Sequence, residues 1–101
     1  MPDLPDYLLK AYGLFKEEFA KHMKYFSELD TCEASLSENA VEISRRFHTI
    51  KGGAGFLEMD RVVELSREGE ERFKDFSYSE EMVGSLTSLI EGLKAEEKKF
   101  D

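Results

Sequence analysis

The sequence predicts an all-α protein: an antiparallel up-down four-helix bundle with a histidine, His48, mid-way along the second helix. Three observations predict it. Apolar residues recur at steps of three and four along four successive segments, the period of helices that each bury one face. No segment shows the period of two that marks a half-buried strand. Both prolines lie within the first five residues, so no later helix is interrupted by one. Four amphipathic helices joined by short polar breaks bury their stripes most economically against one another.

The first helix is expected over about 4–29. Its stripe is Leu8, Tyr12, Phe15, Phe19, Met23 or His22, Phe26 and Leu29, and Asp30 to Ala34 form the break after it. The second is expected over about 36–57. Ser35 and Glu38 fit a capping box at its start, and Leu36, Ala40, Ile43, Phe47, Ile50, Ala54 and Leu57 form an unbroken heptad seam. The third is expected over about 60–76, with Asp60 as N-cap and a stripe of Val62, Val63, Leu65, Ser66, Gly69, Phe73 and Phe76. The fourth is expected over about 79–99, opened by a second capping box, Ser77 with Glu80. Its stripe is Met82, Leu86, Leu89 or Ile90, and Leu93, with Phe100 as a further candidate. The mixed charges from Lys94 to Lys99 suggest a frayed end. Residues 1–101 are read as a single domain, a length that suits one core.

Composition narrows the function. The net charge of -8 disfavours nucleic acid and anionic membrane surfaces as partners, since both are bound through Lys and Arg. No apolar run approaches the ~20 residues of a membrane span, and the start lacks a basic-then-apolar signal pattern. A cytoplasmic location is therefore expected. The one cysteine, Cys32, has no partner thiol for a disulfide or a zinc site and is read as incidental. A monomer is expected, because four helices can bury all four stripes among themselves.

The informative stretch is Phe47-His48-Thr49-Ile50-Lys51-Gly52-Gly53-Ala54-Gly55-Phe56-Leu57. At 100° per residue, His48 is rotated about 130° from the centre of the buried stripe, so its imidazole reaches solvent. Lys51 lies one turn on, on the same side, and Gly52 and Gly55 lie along the face of His48 at i+4 and i+7. Each glycine costs about 1 kcal/mol against alanine in a helix interior. Two readings of them are open. In one, the helix ends near Gly52 and the glycines form a loop. In the other, the glycines clear side chains from around His48 so that a bulky partner loop can approach. The seam continuing in phase through Ala54 and Leu57 favours the second.

An exposed imidazole suits phosphoryl chemistry. Its unperturbed pKa of about 6.5 makes it a competent nucleophile near neutrality. Phosphoryl transfer asks the protein mainly for positioning and charge stabilisation. Lys51 can offer a cation to the non-bridging oxygens. A carboxylate accepting the Nδ1 proton would orient the ring and leave Nε2 free to attack.

The run His48-Thr49-Ile50-Lys51-Gly52-Gly53-Ala54-Gly55 resembles the phosphorylation motif of histidine-containing phosphotransfer (HPt) domains, His-Ser/Thr-Ile/Leu-Lys-Gly-x-Ala-Gly/Ala. It is most similar to the N-terminal phosphotransfer domain of CheA-type chemotaxis histidine kinases. Arg45-Arg46-Phe47 before the motif and Phe56-Leu57 after it suit that family, and the likeness in helix lengths extends over the whole chain. The resemblance implies a phosphoryl carrier in a two-component phosphorelay. It would take the group on Nε2 of His48 from a histidine kinase domain or phospho-receiver and pass it to an aspartate of a response-regulator receiver. Lys51 would be the phosphate-side cation, and Gly52 and Gly55 would leave clearance for docking. A third-helix glutamate that bonds the ring falls, counting from Ala54-Gly55, on Glu70. Glu68 and Glu71 are its neighbours if that helix is rotated. Arg67 stands one turn earlier, where related domains can carry a second histidine.

No phosphate-binding glycine loop is present, so the chain is read as a carrier and not a self-sufficient enzyme, either alone or as the substrate domain of a larger kinase. No cofactor and no metal are expected. A metal-binding bundle would need Glu-x-x-His pairs, yet Arg45 and Phe19 stand three residues before His48 and His22. A pure interaction module would explain the stripes but not the glycines beside His48. His22 is read as a seam residue packed or hydrogen-bonded at the edge of the core, and Met23, Met59 and Met82 as core filler. Among the first helix's aromatics, Phe15 or Tyr12 is a candidate exposed docking patch for a receiver.

Overall fold

Residues 4–100 are described by a computed structural model, in which four helices and no strand occur. They are α1 (Asp6–Glu28), α2 (Glu33–Phe56), α3 (Asp60–Lys74) and α4 (Glu80–Glu97). Each packs against its neighbours in sequence, and α4 returns to α1 to close the antiparallel bundle. The longest dimension is 44 Å, as expected for helices of 23 and 24 residues rising about 1.5 Å per residue.

The stripes meet along the bundle axis. Along α2 and its C-cap, Leu36, Ile43, Phe47, Ile50, Ala54 and Leu57 are all at most 3% exposed. Phe19, Phe73, Leu86 and Leu93 face them from the other three helices at 2% or less. Burying a side chain of this size contributes about 1.5–3 kcal/mol. The seam therefore fixes the rotation of α2 and turns His48 outward.

The helix ends differ from the sequence expectations in instructive ways. α2 starts one turn before the Ser35 box. The Cys32 carbonyl accepts from the Leu36 amide at 3.0 Å, and Asp30 Oδ1 accepts from the Cys32 amide at 3.0 Å, so an aspartate turn ahead of the helix sets its entry. Ser35 lies inside the first turn and caps nothing. Met59, not Asp60, flanks the start of α3, which stops at Lys74. Phe76 lies beyond it and stacks on Phe73 with ring centres 5.0 Å apart. Ser79, not Ser77, caps α4 by accepting from the Met82 amide at 3.0 Å.

α2 does not end near Gly52. It continues through all three glycines to Phe56 and stops in a Schellman motif. The Met59 amide donates to the Ala54 carbonyl at 2.9 Å and the Glu58 amide to that of Gly55 at 3.2 Å. Glu58 takes the left-handed position at φ 57°.

The charge pattern suggests a frayed end, yet the described residues continue past α4 to Phe100. Turn bonds from Lys99 and Phe100 to Glu96 and Glu97 carry the chain on. They set the Phe100 ring against Tyr12, Phe15 and Phe19 of α1, with centres 6.2, 5.9 and 5.1 Å away. Tyr12 and Phe15 are consequently buried and form no surface patch, contrary to the expectation. The exposed apolar side chains of that region are Leu14 and Phe56.

Candidate functional site

His48 lies just past the middle of α2, on the side away from the seam, with 65% of its side chain exposed. Its Nδ1 lies 2.8 Å from Oε2 of Glu70 on α3. The other oxygen of the same carboxylate, Oε1, accepts from Lys51 Nζ at 2.6 Å. One glutamate thus bridges the two polar residues that the α2 periodicity puts on one face. Glu70 is 19% exposed and Lys51 29%, so both are partly shielded while the ring reaches into solvent.

The charges fix the proton positions. The Lys51 ammonium foremost, and then the His48 bond, hold the Glu70 carboxyl below its ordinary range against partial desolvation. An ionised carboxylate only accepts, so the ring nitrogen facing it carries the hydrogen. In the neutral ring the tautomer is therefore Nδ1–H, with the lone pair on Nε2.

The neighbouring candidates do not share this geometry. Glu68 is paired with Arg72 on its own helix at 3.0 Å, and Glu71 is exposed. Arg67 is exposed and makes no hydrogen bond or ion pair among the described residues. Gly52 and Gly55 are exposed, and an added Cβ at either would meet nothing within 4 Å. The surface beside His48 is open there. Gly53 differs, because its missing Cβ makes room for the Phe15 ring at 2.8 Å. A shallow cleft on the other side of the ring is lined by Val41, Ser44, Arg45, Glu70 and Lys74, with Arg45 held by Glu42.

A family model, the Hpt domain, matches residues 10–96. The chain belongs to the Hpt domain family. Hpt domains are phosphocarrier modules of two-component phosphorelays, interacting with kinases and receiver domains, and are not themselves enzymes. No curated protein and no solved structure gives a significant match to the chain.

The rest of this Hpt domain offers little competing chemistry. His22 is partly buried in the α1–α2 seam. Its Nδ1 lies 3.2 Å from Arg46 Nη1 and its Nε2 is buried without a partner. Burial foremost, and then the Arg46 charge, lower its pKa and so favour the neutral ring. Cys32 is exposed at the start of α2. Among the described residues no group of three or more His, Cys, Asp or Glu is arranged to hold a metal ion. No helix there is long and apolar enough to cross a membrane.

Two features of the site escaped the sequence. Ser44 Oγ donates to the backbone carbonyl of Glu70 at 3.2 Å, and Gly69 is buried against Phe47. The only available signal was a glycine inside a helical stripe.

Proposed function

We propose that His48 is the phosphorylated residue of this Hpt domain. The single observation that carries the reading is an exposed imidazole whose Nδ1 lies against the Glu70 carboxylate, which leaves Nε2 facing solvent. In the forward step Nε2 attacks the phosphorus of a donor, either ATP held by a histidine kinase catalytic domain or an aspartyl phosphate of a receiver. A P–N bond forms, the bond to the donor oxygen breaks, and ADP or the aspartate leaves with the electron pair. In the return step a receiver aspartate attacks the phosphorus, the P–N bond breaks, and its electron pair returns to Nε2.

Glu70 stabilises the positive charge that develops on the ring. Lys51, held 2.6 Å from Glu70, serves the non-bridging oxygens from the same side. Gly52 and Gly55 leave clearance for the receiver's active-site loops. Arg67 adds positive charge on the same helix as Glu70 and lies outside the His48–Glu70–Lys51 network. The motif from His48 to Gly55 and the third-helix glutamate support a chemotaxis-like, CheA-type relay in the cytoplasm.

Transfer tests the proposal. The chain and a His48→Gln variant are loaded with a histidine kinase domain and radiolabelled ATP, then mixed with a receiver. The wild type is expected to take one acid-labile label and lose it to the receiver, and the variant to take none. Equal labelling of both would refute the assignment.

A further inference from the structure

Gly69 occupies a buried position directly before Glu70, with ordinary helical backbone. Its conformation does not call for glycine, and glycine weakens a helix interior relative to alanine. Its use lies in space. A Cβ added there would sit 2.6 Å from three atoms of the Phe47 ring. That ring is 0% exposed and is stacked on Phe26 at 4.8 Å, so it has no room to retreat. At this level α3 lies closer to α2 than a side chain on Gly69 would permit.

Phe47 immediately precedes His48, and Gly69 immediately precedes Glu70. The close approach therefore sits one residue before both ends of the 2.8 Å bond. A second tie acts at the same level: the Ser44 hydroxyl, one turn before His48, holds the Glu70 carbonyl at 3.2 Å. We propose that Gly69, the Phe47 ring and the Ser44 hydroxyl are positioning residues that gauge the α2–α3 spacing. At that spacing one carboxylate reaches both His48 Nδ1 and Lys51 Nζ. None of the three touches the phosphoryl group. The inference rests on Glu70 being the ring partner in phosphotransfer. Hydrogen bonds weaken steeply beyond their ordinary lengths, so a small outward shift of α3 breaks the bridge without unfolding the bundle.

The test uses the full chain and two readouts. One is the tautomer of neutral His48, read from its imidazole ¹⁵N shifts. The other is the phosphorylation rate per folded molecule. Gly69→Ala is expected to move His48 from Nδ1–H toward Nε2–H and to slow phosphorylation about tenfold, as a displaced catalytic geometry does. Ser44→Ala should shift the tautomer the same way by less. The double variant Gly69→Ala/Phe47→Leu, which frees space for the new Cβ, should restore the wild-type tautomer. In a Glu70→Ala background, Gly69→Ala should change neither readout further.

A folded Gly69→Ala protein with the wild-type tautomer would overturn the proposal, as would an effect that persists without Glu70. If Gly69→Ala fails to fold, Ser44→Ala and the double variant decide: a wild-type tautomer in Ser44→Ala, or no recovery in the double variant, overturns it. The tautomer reports the Glu70 contact whether or not His48 carries phosphate. Phosphorylation surviving His48→Gln while the tautomer follows Gly69 would remove the carrier reading and leave the gauge standing. Phosphorylation lost in His48→Gln while the tautomer ignores Gly69 would remove the gauge alone.

Discussion

At the scale of residues, the site is one carboxylate shared by two partners. Glu70 holds the His48 ring in one tautomer and holds Lys51 beside it. Removing the carboxylate frees both, so Glu70→Ala should slow phosphorylation of His48 on the order of tenfold or more, measured by intact mass over time. Glu70 also makes a pH prediction. Its pKa is lower in the fold than its ordinary value of about 4.3. The unfolded chain therefore binds the proton first as pH falls. The contribution is fully present above about pH 4.3 and is lost as pH drops through the lowered value. Urea denaturation should show stability falling more steeply below that pH for the wild type than for Glu70→Gln. His48, Lys51 and the glycines were legible because they lie on one short helical run. Glu70 was reached only through the family likeness, since its bond joins residues 22 apart in sequence. Ser44 and Gly69 were not legible, because their roles depend on an interhelix distance that no local pattern encodes.

At the scale of elements, α2 carries the exposed histidine past three glycines that a stable helix would avoid. Gly52 and Gly53 separate the two reasons for a glycine. An added Cβ is unopposed at Gly52 but meets the Phe15 ring at Gly53. Gly52→Ala should therefore stabilise the bundle by about 0.5–1 kcal/mol in urea denaturation while slowing transfer to a receiver. Gly53→Ala should give no such gain. The Schellman turn offers a further check. Glu58 holds a left-handed conformation that costs a side-chain-bearing residue about 1–2 kcal/mol. Glu58→Gly should raise stability by about 0.5–1 kcal/mol, the range seen when strain is relieved against unfolded-chain entropy. The helix starts were the least legible features. Cap chemistry is written in single polar residues, and Asp30 and Ser79 competed with equally plausible Ser35, Asp60 and Ser77. Phe100 was legible as a further candidate for the fourth stripe but its partners were not, because only closure of α4 onto α1 brings it to the aromatic stripe.

At the scale of the molecule, the bundle was legible because all four stripes share one period and no proline interrupts them. The packing of α1 on α2 places His22 between them, where it accepts from Arg46 while Glu18 and Glu42 act the other way. Its lowered pKa means the unfolded chain takes the proton first below its ordinary value of about 6.5. Stability should therefore fall as pH drops below about 6.5. A His22→Gln variant should show a flatter curve in urea titrations across that window.

The most direct measurement of the central claim is ³¹P–¹⁵N correlation NMR on the ¹⁵N-labelled chain after phosphorylation by phosphoramidate. The account predicts a single P–N bond, to Nε2 of His48, with Nδ1 still protonated toward Glu70. A phosphoryl group found on Nδ1 of His48, or on His22, would contradict it.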